Sequence, residues 1–492
     1  MFAVVNSVGL LGLNAFAVKV EIEASKGLPS FDIVGLADAS VKESRERVRS
    51  ALRSSEITLP LRKIIINLAP ADVRKTGSVY DLAVAVALLR MADLVDDSML
   101  STSAFIGELS LSGEVRPVQG VLPMTIMAQK MGLSEIYVPA DNVREASVVE
   151  GIKAYGVRSL RELVFHFEKK AAIVPAAHYK PTAESYFGSL DFADVKGQSA
   201  AKKALEVAAA GGHNVLMIGS PGSGKSMLAK RMPSILPAMT FEESIETTNI
   251  HSVAGLLDSN SPLITAGGSV PKPGEISLAH NGLLFLDELA EFSRPALEIL
   301  RQPLEDRQVT ISRVSGSITY PCSFMLIAAM NPCPCGYFGH PTRKCICSPK
   351  QVSSYLSKVS GPLLDRFDIH LEVAPVEFAD LSSTAKEESS ASIRERVQKA
   401  RDIQNERFKG TSITCNARIT SDILHEVCPV TDEASKLLEN VFDRLGLSAR
   451  AYDRILKVAR TVADMDGAKV IDKKHIAMAV QYRSLDRKYW NG

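Results

Sequence analysis

Residues 214–226 read Asn-Val-Leu-Met-Ile-Gly-Ser-Pro-Gly-Ser-Gly-Lys-Ser, an apolar run followed by the pattern G-x-x-x-x-G-K-S. The pattern predicts a buried strand that leads into a phosphate-binding loop and then a helix. Such a loop wraps phosphates with inward-pointing backbone N–H groups, which requires small residues. The predicted nucleotide-binding residues are Gly219, Ser220, Pro221, Gly222, Ser223, Gly224, Lys225 and Ser226. An accidental glycine-rich turn is the alternative, and the flanking strand and helix argue against it.

A second apolar run, Leu283–Leu286, ends in Asp287 and Glu288. Two carboxylates at the end of a buried strand suit nucleotide hydrolysis. Asp287 can hold magnesium through water, the Ser226 hydroxyl can bind the same ion, and Glu288 can polarise the attacking water. Apolar residues before Asp-Glu are common in buried strands. The pattern becomes specific because it follows Lys225 within the same α/β segment.

Two further polar residues fit this chemistry. Asn331 follows a third apolar run, and its amide can orient the water and touch the terminal phosphate without adding charge; a turn-forming Asn-Pro is the alternative. Arg366 lies near the predicted end of a helix, in Gly361-Pro-Leu-Leu-Asp-Arg-Phe-Asp368. A guanidinium there can reach a neighbouring subunit's nucleotide as an arginine finger. A local salt bridge with Asp365 or Asp368 is the alternative.

The composition is that of a multidomain protein without a strong charge bias. A chain of 492 residues is too long to fold around a single hydrophobic core, which indicates about two to four domains. A net charge of +1 restricts any nucleic-acid contact to a local groove or pore. No apolar run approaches the roughly 20 residues of a membrane span. Seven cysteines, an odd number with four close together, favour a reducing cytoplasm over a disulfide scaffold.

Patterns along the chain divide it into four parts. Residues 1–170 mix alternating strands with amphipathic helices, and residues 171–189 are a linker. Residues 190–380 alternate short apolar strands with helices, which predicts an α/β core with ligands beyond the carboxyl ends of its strands. Residues 381–492 are polar and helical. The candidate core strands are Val215–Ile218, Leu283–Leu286 and Phe324–Ala328.

The motifs, in this order, resemble those of AAA+ ATPases. Two further stretches, Pro273-Gly-Glu-Ile-Ser-Leu-Ala-His-Asn-Gly282 and Ala329-Met-Asn-Pro-Cys-Pro-Cys-Gly336, resemble the magnesium-chelatase-like branch and, within it, the bacterial ComM-like (YifB-like) family. The resemblance covers nearly the whole chain. It implies a P-loop AAA+ core, an all-helical C-terminal lid over the nucleotide, and hexameric rings with ATP sites between subunits. In such a ring Arg366 acts on the neighbour's nucleotide.

The resemblance also implies roles for residues outside the main motifs. Arg450 matches the sensor 2 arginine of the lid, and Val195, Gly197 and Gln198 match the stretch beside the adenine. This chain departs from the family before Gly267-Gly-Ser269, where ComM-like proteins carry an arginine- and histidine-bearing insert. The insert is short here, which weakens any assignment of DNA contact to it.

Residues 1–170 resemble the α+β fold of Lon-type Ser/Lys proteases without its chemistry. In the best register Val79 falls at the serine position and Met124 at the lysine position, and neither can attack a carbonyl or take a proton. Ser78 is one residue away, and Lys130 is about two turns away. We therefore expect a Lon-like domain that serves subunit or DNA contact, with peptide hydrolysis as the alternative.

Four cysteines form a compact group in the sequence. Cys333, Cys335, Cys345 and Cys347 offer four thiolates to tetrahedral zinc, with His340 as a substitute ligand, although C-x-x-C spacing is commoner than C-x-C. We expect a structural zinc site. Four reduced thiols in a flexible loop are the alternative.

Residues 305–320 alternate in polarity around a central Val-Ser-Gly and predict a β-hairpin. In helicases of this AAA+ branch, a hairpin at this place projects into the central pore. Arg307 and Arg313 are therefore candidate contacts to a DNA backbone, and Lys272 is a weaker one. A solvated hairpin without a ligand is the alternative.

The sequence thus predicts a cytoplasmic, ring-forming AAA+ ATPase that uses ATP and Mg²⁺. It moves branched or single-stranded DNA without reading its sequence, and the activity that the resemblance implies is helicase-type branch migration during recombination of transforming DNA. One alternative is the motor subunit of a metal chelatase, in which a Lon-like domain is not expected. The other is a protein-remodelling or proteolytic machine.

Overall fold

The computed structural model describes residues 1–36, 38–60, 62–179, 190–257, 263, 275–313, 316–376, 378, 380, 387–483 and 489, without the side chains of residues 312, 313, 316, 317 and 445. The strands are β1 (Phe2–Leu11), β2 (Asn14–Ser25), β3 (Ser30–Val34), β4 (Lys63–Ala69), β5 (Ser103–Phe105), β6 (Glu108–Leu109), β7 (Val115–Arg116), β8 (Glu135–Pro139), β9 (Lys153–Val157), β10 (Val215–Ile218), β11 (Leu283–Leu286), β12 (Gln308–Arg313), β13 (Gly316–Pro321), β14 (Met325–Met330) and β15 (Ile369–Glu372). The α-helices are α1 (Ala39–Ser54), α2 (Asp81–Met91), α3 (Asp97–Thr102), α4 (Val121–Lys130), α5 (Val143–Ala146), α6 (Leu160–Phe167), α7 (Ser199–Gly211), α8 (Lys225–Arg231), α9 (Phe241–Val253), α10 (Glu275–Leu278), α11 (Arg294–Ile299), α12 (Arg301–Asp306), α13 (Pro349–Leu356), α14 (Gly361–Leu364), α15 (Ser390–Arg407), α16 (Leu424–Val427), α17 (Asp432–Leu445), α18 (Ala449–Met465) and α19 (Lys473–Gln481). Short 3-10 turns occur at Ala140–Asn142, Phe192–Asp194, Met232–Ile235, Leu289–Glu291 and Asn416–Arg418.

The chain forms two compact units. The first unit contains Met1–Thr182 together with Phe241–Ile264, and the second unit contains Ala183–Thr240 together with Thr265–Gly492. The helix α9 therefore packs with the N-terminal residues, whereas the sequence predicts a place for it within the 190–380 core.

A seven-stranded mixed sheet organises the first unit, in the order β3-β4-β2-β1-β5-β8-β9. The long strands β1 and β2 pair antiparallel, from Phe2 opposite Glu23 to Leu11 opposite Asn14. From Val18 to Ser25, alternate residues of β2 are buried and their neighbours are at least partly exposed, which is the two-residue period of a strand with one face on the core.

The helix α2 lies at the centre of the first unit, because all of its residues except Arg90 are buried. The one buried acid of the helix, Asp81, accepts hydrogen bonds from Nε of Arg47 at 2.7 Å, from the backbone N–H of Leu109 at 3.2 Å and from the hydroxyl of Ser44. These partners compensate the cost of burying a charge.

A four-stranded parallel sheet organises the second unit, in the order β11-β14-β10-β15. Every residue of β10 and β14 is buried, as expected of parallel strands that are covered on both faces. Val215 and Met217 enter one core, which includes α7, α15 and α18, whereas Leu216 and Ile218 enter a second core with α13 and α14.

Hydroxyl side chains begin the long C-terminal helices. Ser389, Thr431 and Ser448 accept hydrogen bonds from the backbone N–H groups three residues ahead, at the starts of α15, α17 and α18. Such caps satisfy N–H groups that the helix itself leaves unpaired. The sequence prediction of a helical C-terminal part is confirmed over the described residues. None of the helices described by the structure combines the length and apolar character needed to cross a membrane.

Candidate active site

The loop of residues 219–224 follows β10 and leads directly into α8. Gly222 and Gly224 have φ angles of 78° and 92°, a region that L side chains rarely adopt. A β-carbon at Gly219 would lie 2.5 Å from the carbonyl oxygen of Val373. The shape of this loop therefore depends on its glycines.

Lys225 is buried at the base of the loop. Its Nζ donates to the carbonyl oxygens of Gly219 at 2.7 Å and Ser220 at 3.0 Å, and to Oδ1 of Asn331 at 3.3 Å. Burial lowers the pKa of Lys225, although the charges of nearby carboxylates raise it. The structure thus brings Asn331, at the end of β14, to the lysine of the loop that follows β10.

The hydroxyl of Ser226 donates to Oδ2 of Asp287 at 2.6 Å. Asp287 directly follows β11, so these two groups meet at the carboxyl edge of the parallel sheet. A hydroxyl and a carboxylate oxygen are the ligand types that Mg²⁺ prefers, and this pair fits the magnesium ligands predicted from the sequence.

Glu288 has an unusual backbone conformation for a residue with a side chain. Its φ and ψ angles are 52° and 48°, which cost about 1–2 kcal/mol for a residue other than glycine. Its N–H donates to Oδ1 of Asp287 at 3.0 Å, and its own carboxylate is exposed to solvent. Residues held in this region concentrate at functional sites, and the turn leaves the Glu288 carboxylate free to contact water.

The stretch predicted to lie beside the adenine is joined to the phosphate loop. Nε2 of Gln198 donates to the carbonyl oxygen of Ser223 at 3.2 Å. Gly197 has a φ of 62°, which L side chains rarely adopt, and a β-carbon there would lie 2.8 Å from Oδ2 of Asp380. Val195 is buried in the core of the second unit.

Arg366 lies just after α14 and is only 8% exposed. Its guanidinium forms an ion pair with the carboxylate of Glu305 at the end of α12. The partner of Arg366 in this ion pair is therefore a residue distant in sequence. It is neither Asp365 nor Asp368, the two local partners that the sequence suggests. Sequence reasoning missed Glu305, because no local pattern connects the two residues.

Arg366 belongs to a cluster of positive side chains. Burial lowers its pKa, and the charges of Arg454, Arg450 and Arg301 lower it further. The pKa of Lys225, by contrast, is affected by the negative charges of Asp287 and Glu288, which raise it. Within the described residues, Arg450 is thus an electrostatic neighbour of Arg366, and its side chain is exposed.

The four predicted cysteines converge. Their sulfur atoms all lie within 4.8 Å of one another. The separations from Cys333 to Cys335, from Cys333 to Cys345 and from Cys335 to Cys345 are 3.4, 3.7 and 3.6 Å. Tetrahedral zinc with Zn–S bonds near 2.3 Å requires sulfur separations of about 3.8 Å, so the donor set fits this ion. Nδ1 of His340, the predicted substitute ligand, accepts hydrogen bonds from the backbone N–H groups of Thr342 and Arg343.

Backbone hydrogen bonding also favours metal binding by this group. The N–H of Tyr337 stabilises the thiolate of Cys335 and contributes most to lowering its pKa to about 6. A thiolate is the form that binds a metal ion. The remaining cysteines, Cys322, Cys415 and Cys428, are buried singly.

The predicted hairpin is present as β12 and β13, which pair from Gln308 opposite Pro321 to Arg313 opposite Gly316. Arg307 lies at its base, with a φ of 55°, as the residue that ends α12. Burial lowers the pKa of Arg307, and the charge of Arg418 contributes. Arg307 therefore does not occupy the exposed part of the hairpin. The side chain of Arg313 and all of Lys272 lie outside the described residues.

The Lon-like catalytic positions hold no catalytic pair. Met124 is fully buried within α4, and Val79 is half-buried beside the start of α2. The hydroxyl of Ser78 donates to the carboxylate of Glu108, and Lys130 is exposed in the last turn of α4. The resemblance to Lon-type proteases stays a prediction.

The segment around α9 is bound to the first unit by specific contacts. The N–H of Gly120 donates to the carbonyl oxygen of Ser252 at 3.1 Å. The hydroxyl of Ser252 donates to the buried carboxylate of Glu145, which also accepts from the backbone N–H of Leu122 at 2.7 Å. Leu263 belongs to the buried apolar cluster of the first unit that also contains Leu122. The segment that precedes the shortened insert therefore packs within the first unit, whereas residues 258–262 and 264–274 lie outside the described residues.

Comparison with known proteins decides the family. Models of the magnesium chelatase subunit ChlI match residues 191–381 and, separately, residues 20–142, and a model of the C-terminal part of ChlI matches residues 387–483. The chain is 41% identical to the competence protein ComM of Haemophilus influenzae over 99% of its own length and 98% of that protein. The chain belongs to the ComM/YifB family of magnesium-chelatase-like proteins.

Other relatives agree with this family. YifB of Escherichia coli is 42% identical, with 99% of this chain and 97% of that protein covered. The 67 kDa magnesium-chelatase subunit of Chlorobaculum parvum is 31% identical over 29% of this chain and 23% of that protein. The family predicted from the motifs is confirmed, and the match over residues 191–381 supports an AAA+-type, nucleotide-binding protein.

Proposed function

We propose that this ComM/YifB family member hydrolyses ATP with Mg²⁺ and uses the free energy to move DNA. The observation that carries the ATPase proposal is the meeting of Lys225, Ser226, Asp287 and Asn331, from three neighbouring strands, at one edge of the sheet. Each of these side chains has a distinct task in phosphoryl transfer, and no simpler binding site needs all four.

The residues divide the reaction among themselves. Lys225 exchanges its carbonyl partners for the outer phosphates, and Ser226 with Asp287 holds the magnesium ion. When bound, Mg²⁺ neutralises charge on the phosphate oxygens. Glu288 accepts a proton from the attacking water, and Asn331 orients that water beside the terminal phosphate. Val195, Gly197 and Gln198 lie along the adenine.

A ring completes the site. The charge of Arg450 helps to lower the pKa of Arg366, so the lid arginine lies near the arginine that we propose to act on the nucleotide of the next subunit. Arg366 acts as the arginine finger after it exchanges Glu305 for phosphate, and Arg450 acts as sensor 2. A closed hexamer supplies every ATP site with these arginines.

DNA is the proposed substrate because a relative with 41% identity is named a competence protein. The family resemblance implies branch migration of branched or single-stranded DNA during recombination of transforming DNA, in the cytoplasm. The β12–β13 hairpin, with Arg313, is the proposed contact to the phosphate backbone; Arg307 supports its base, and Lys272 is a further candidate.

The test is ATP hydrolysis measured with no DNA, with linear duplex, and with forked or four-way-junction DNA, together with strand displacement from the junction. We expect the branched substrates to stimulate hydrolysis and to be unwound. Hydrolysis that no DNA stimulates, without displacement of strands, would leave the ATPase proposal intact and reject the DNA proposal.

The second candidate is a chelatase-type motor, which the match to a magnesium-chelatase subunit favours. This motor would drive metal insertion into a porphyrin by a partner protein. The discriminating experiment adds porphyrin and magnesium-chelatase partner subunits in place of DNA; stimulation by those partners alone would favour this candidate. Protein remodelling is tested with casein in the same assay.

We also propose that Cys333, Cys335, Cys345 and Cys347 bind a structural zinc ion, on the basis of their sulfur separations. The purified protein is expected to contain about one zinc per chain. The double variant C345S/C347S is expected to contain none, because two ligands cannot hold the ion against solvent. The matched control, C322S, changes a buried cysteine outside the group and should keep its zinc. Equal metal content in all three proteins would reject the site.

A further inference from the structure

The cysteine loop, residues 333–347, contacts the phosphate loop directly. Gly336, between Cys335 and Tyr337, has a φ of 81°. A β-carbon built on Gly336 would lie 2.4 Å from Cδ and 2.6 Å from Cγ of Pro221. The backbone of the cysteine loop is therefore in contact with the proline ring in the middle of the phosphate loop, and glycine is needed for that approach.

The same loop is joined to Asn331 by a short, fixed piece of chain. Asn331 is followed by Pro332 and then Cys333, which is fully buried. The carbonyl oxygen of Cys333 accepts from the N–H of Gly336 at 2.9 Å, and its sulfur accepts from the N–H of Phe338 at 3.3 Å. A shift of Cys333 or Gly336 would therefore move both Asn331 and Pro221.

The far end of the loop, residues 345–347, is only partly buried. Ile346, between the second pair of cysteines, is 86% exposed. Cys345 and Cys347 pack at the margin of the core that contains Cys333, and the N–H of Ile346 donates to the sulfur of Cys335. Bonds from a metal ion to these two thiolates would tie residues 345–347 directly to the buried Cys333.

We propose that the zinc-bound cysteine loop positions the phosphate loop and Asn331, so that rapid ATP hydrolysis requires zinc at a site that touches neither ATP nor Mg²⁺. This inference rests on the ATPase and zinc proposals above. Zinc fixes Gly336 against Pro221 from outside the phosphate loop, and through Cys333 it fixes Asn331 beside Lys225. Loss of the ion releases both supports, and displacement of catalytic groups by about 1 Å costs up to about a hundredfold in rate.

Two variants test the two ends of this connection. C345S/C347S removes the ion and leaves Gly336 unchanged, whereas G336A keeps all four cysteines and places a methyl group against Pro221. The matched control for the second is G410A, because Gly410 has nearly the same φ, 80°, and nothing within 4 Å of its β-carbon position. C322S is the control for the first. Zinc content, thermal unfolding, binding of a fluorescent ATP analogue, and kcat and KM for ATP are measured for each, with Mg²⁺ in excess.

We expect G336A to contain a full complement of zinc and to hydrolyse ATP about ten- to a hundredfold more slowly, while G410A keeps the kcat of the unmodified protein. C345S/C347S should lack zinc and show a similar fall in kcat while it remains folded. Unmodified kcat in G336A, or in folded zinc-free C345S/C347S, would overturn the inference. Zinc-free unmodified protein that hydrolyses ATP would reject the metal site and this inference with it, and unmodified protein without ATP hydrolysis would reject the proposed function.

Discussion

The E288Q variant is expected to bind ATP with unchanged affinity and to hydrolyse it about 10²- to 10⁴-fold more slowly, since a general base contributes that much. The substitution keeps the size of the side chain and removes its ability to accept a proton from water. Glu288 is exposed and its side chain has no described structural partner to lose, so the folded state should be unaffected. Single-turnover hydrolysis and equilibrium ATP binding are the measurements.

The matched control for this prediction is E291Q. Glu291 is also exposed, lies at the end of the same 3-10 turn, and pairs at 3.7 Å with Lys358. It should hydrolyse ATP at the unmodified rate. Turnover by E288Q within about threefold of the unmodified protein would place the general base elsewhere, because a lost base costs far more than that.

The R366A variant is expected to bind ATP and to lose about 10³- to 10⁵-fold in its hydrolysis, the range measured for arginine fingers. The reason is that the developing negative charge on the phosphoryl oxygens loses a guanidinium from the neighbouring subunit. The control is R301A, which removes a half-exposed arginine whose charge helps to lower the pKa of Arg366. This control should keep most of its activity.

Mixing subunits distinguishes a finger that acts on the neighbour from one that acts on its own nucleotide. R366A and K225A proteins are each expected to be inactive, but a mixed ring would contain interfaces that combine an intact Lys225 with an intact Arg366 from the neighbouring subunit. We expect the mixture to regain activity that neither protein has alone. If mixed rings form and stay inactive, Arg366 serves the chain that carries it, through its pairing with Glu305.

The parts of the site that follow strands could be predicted from the sequence. Val215–Ile218 and Leu283–Leu286 coincide with β10 and β11, because four consecutive apolar residues before a polar loop leave little choice of boundaries. The third strand, predicted as Phe324–Ala328, is Met325–Met330. This shift leaves Asn331 at the end of the strand, so the meeting of Lys225, Asp287 and Asn331 at one sheet edge followed from topology alone.

Contacts between distant segments could not be predicted. Arg366 and Glu305 are 61 residues apart, and the choice between Glu305 and the aspartates beside Arg366 depends on how α12 and α14 pack. Likewise, the spacing of Cys333 and Cys335 indicated a metal-binding pair, but the approach of Cys345 depends on the path of the loop. The contact of Gly336 with Pro221 leaves no signature in either motif.

The membership of α9 in the first unit was missed for a physical reason. Its sequence, Phe-Glu-Glu-Ser-Ile-Glu-Thr-Thr-Asn-Ile-His-Ser-Val, has few apolar residues and therefore no clear buried face. Its contacts use polar groups, such as the hydroxyl of Ser252 on the Glu145 carboxylate, and backbone hydrogen bonds. Polar contacts of this kind depend on the three-dimensional arrangement of the chain, and the pattern of apolar residues in the sequence does not predict them.

The division of the chain between its two units has a practical consequence. The polypeptide passes from one unit to the other after Thr182, Thr240 and Ile264, so a single cut in the region of residues 180–189 does not separate them. A truncated protein that starts at Ala183 would carry α9 and Leu263 without the side chains that bury them, and would be prone to aggregate. One that ends at Thr182 would lack the hydroxyl that Glu145 binds. Deletion experiments on either half would therefore report damage to both halves, and point substitutions are the sounder way to assign their separate tasks.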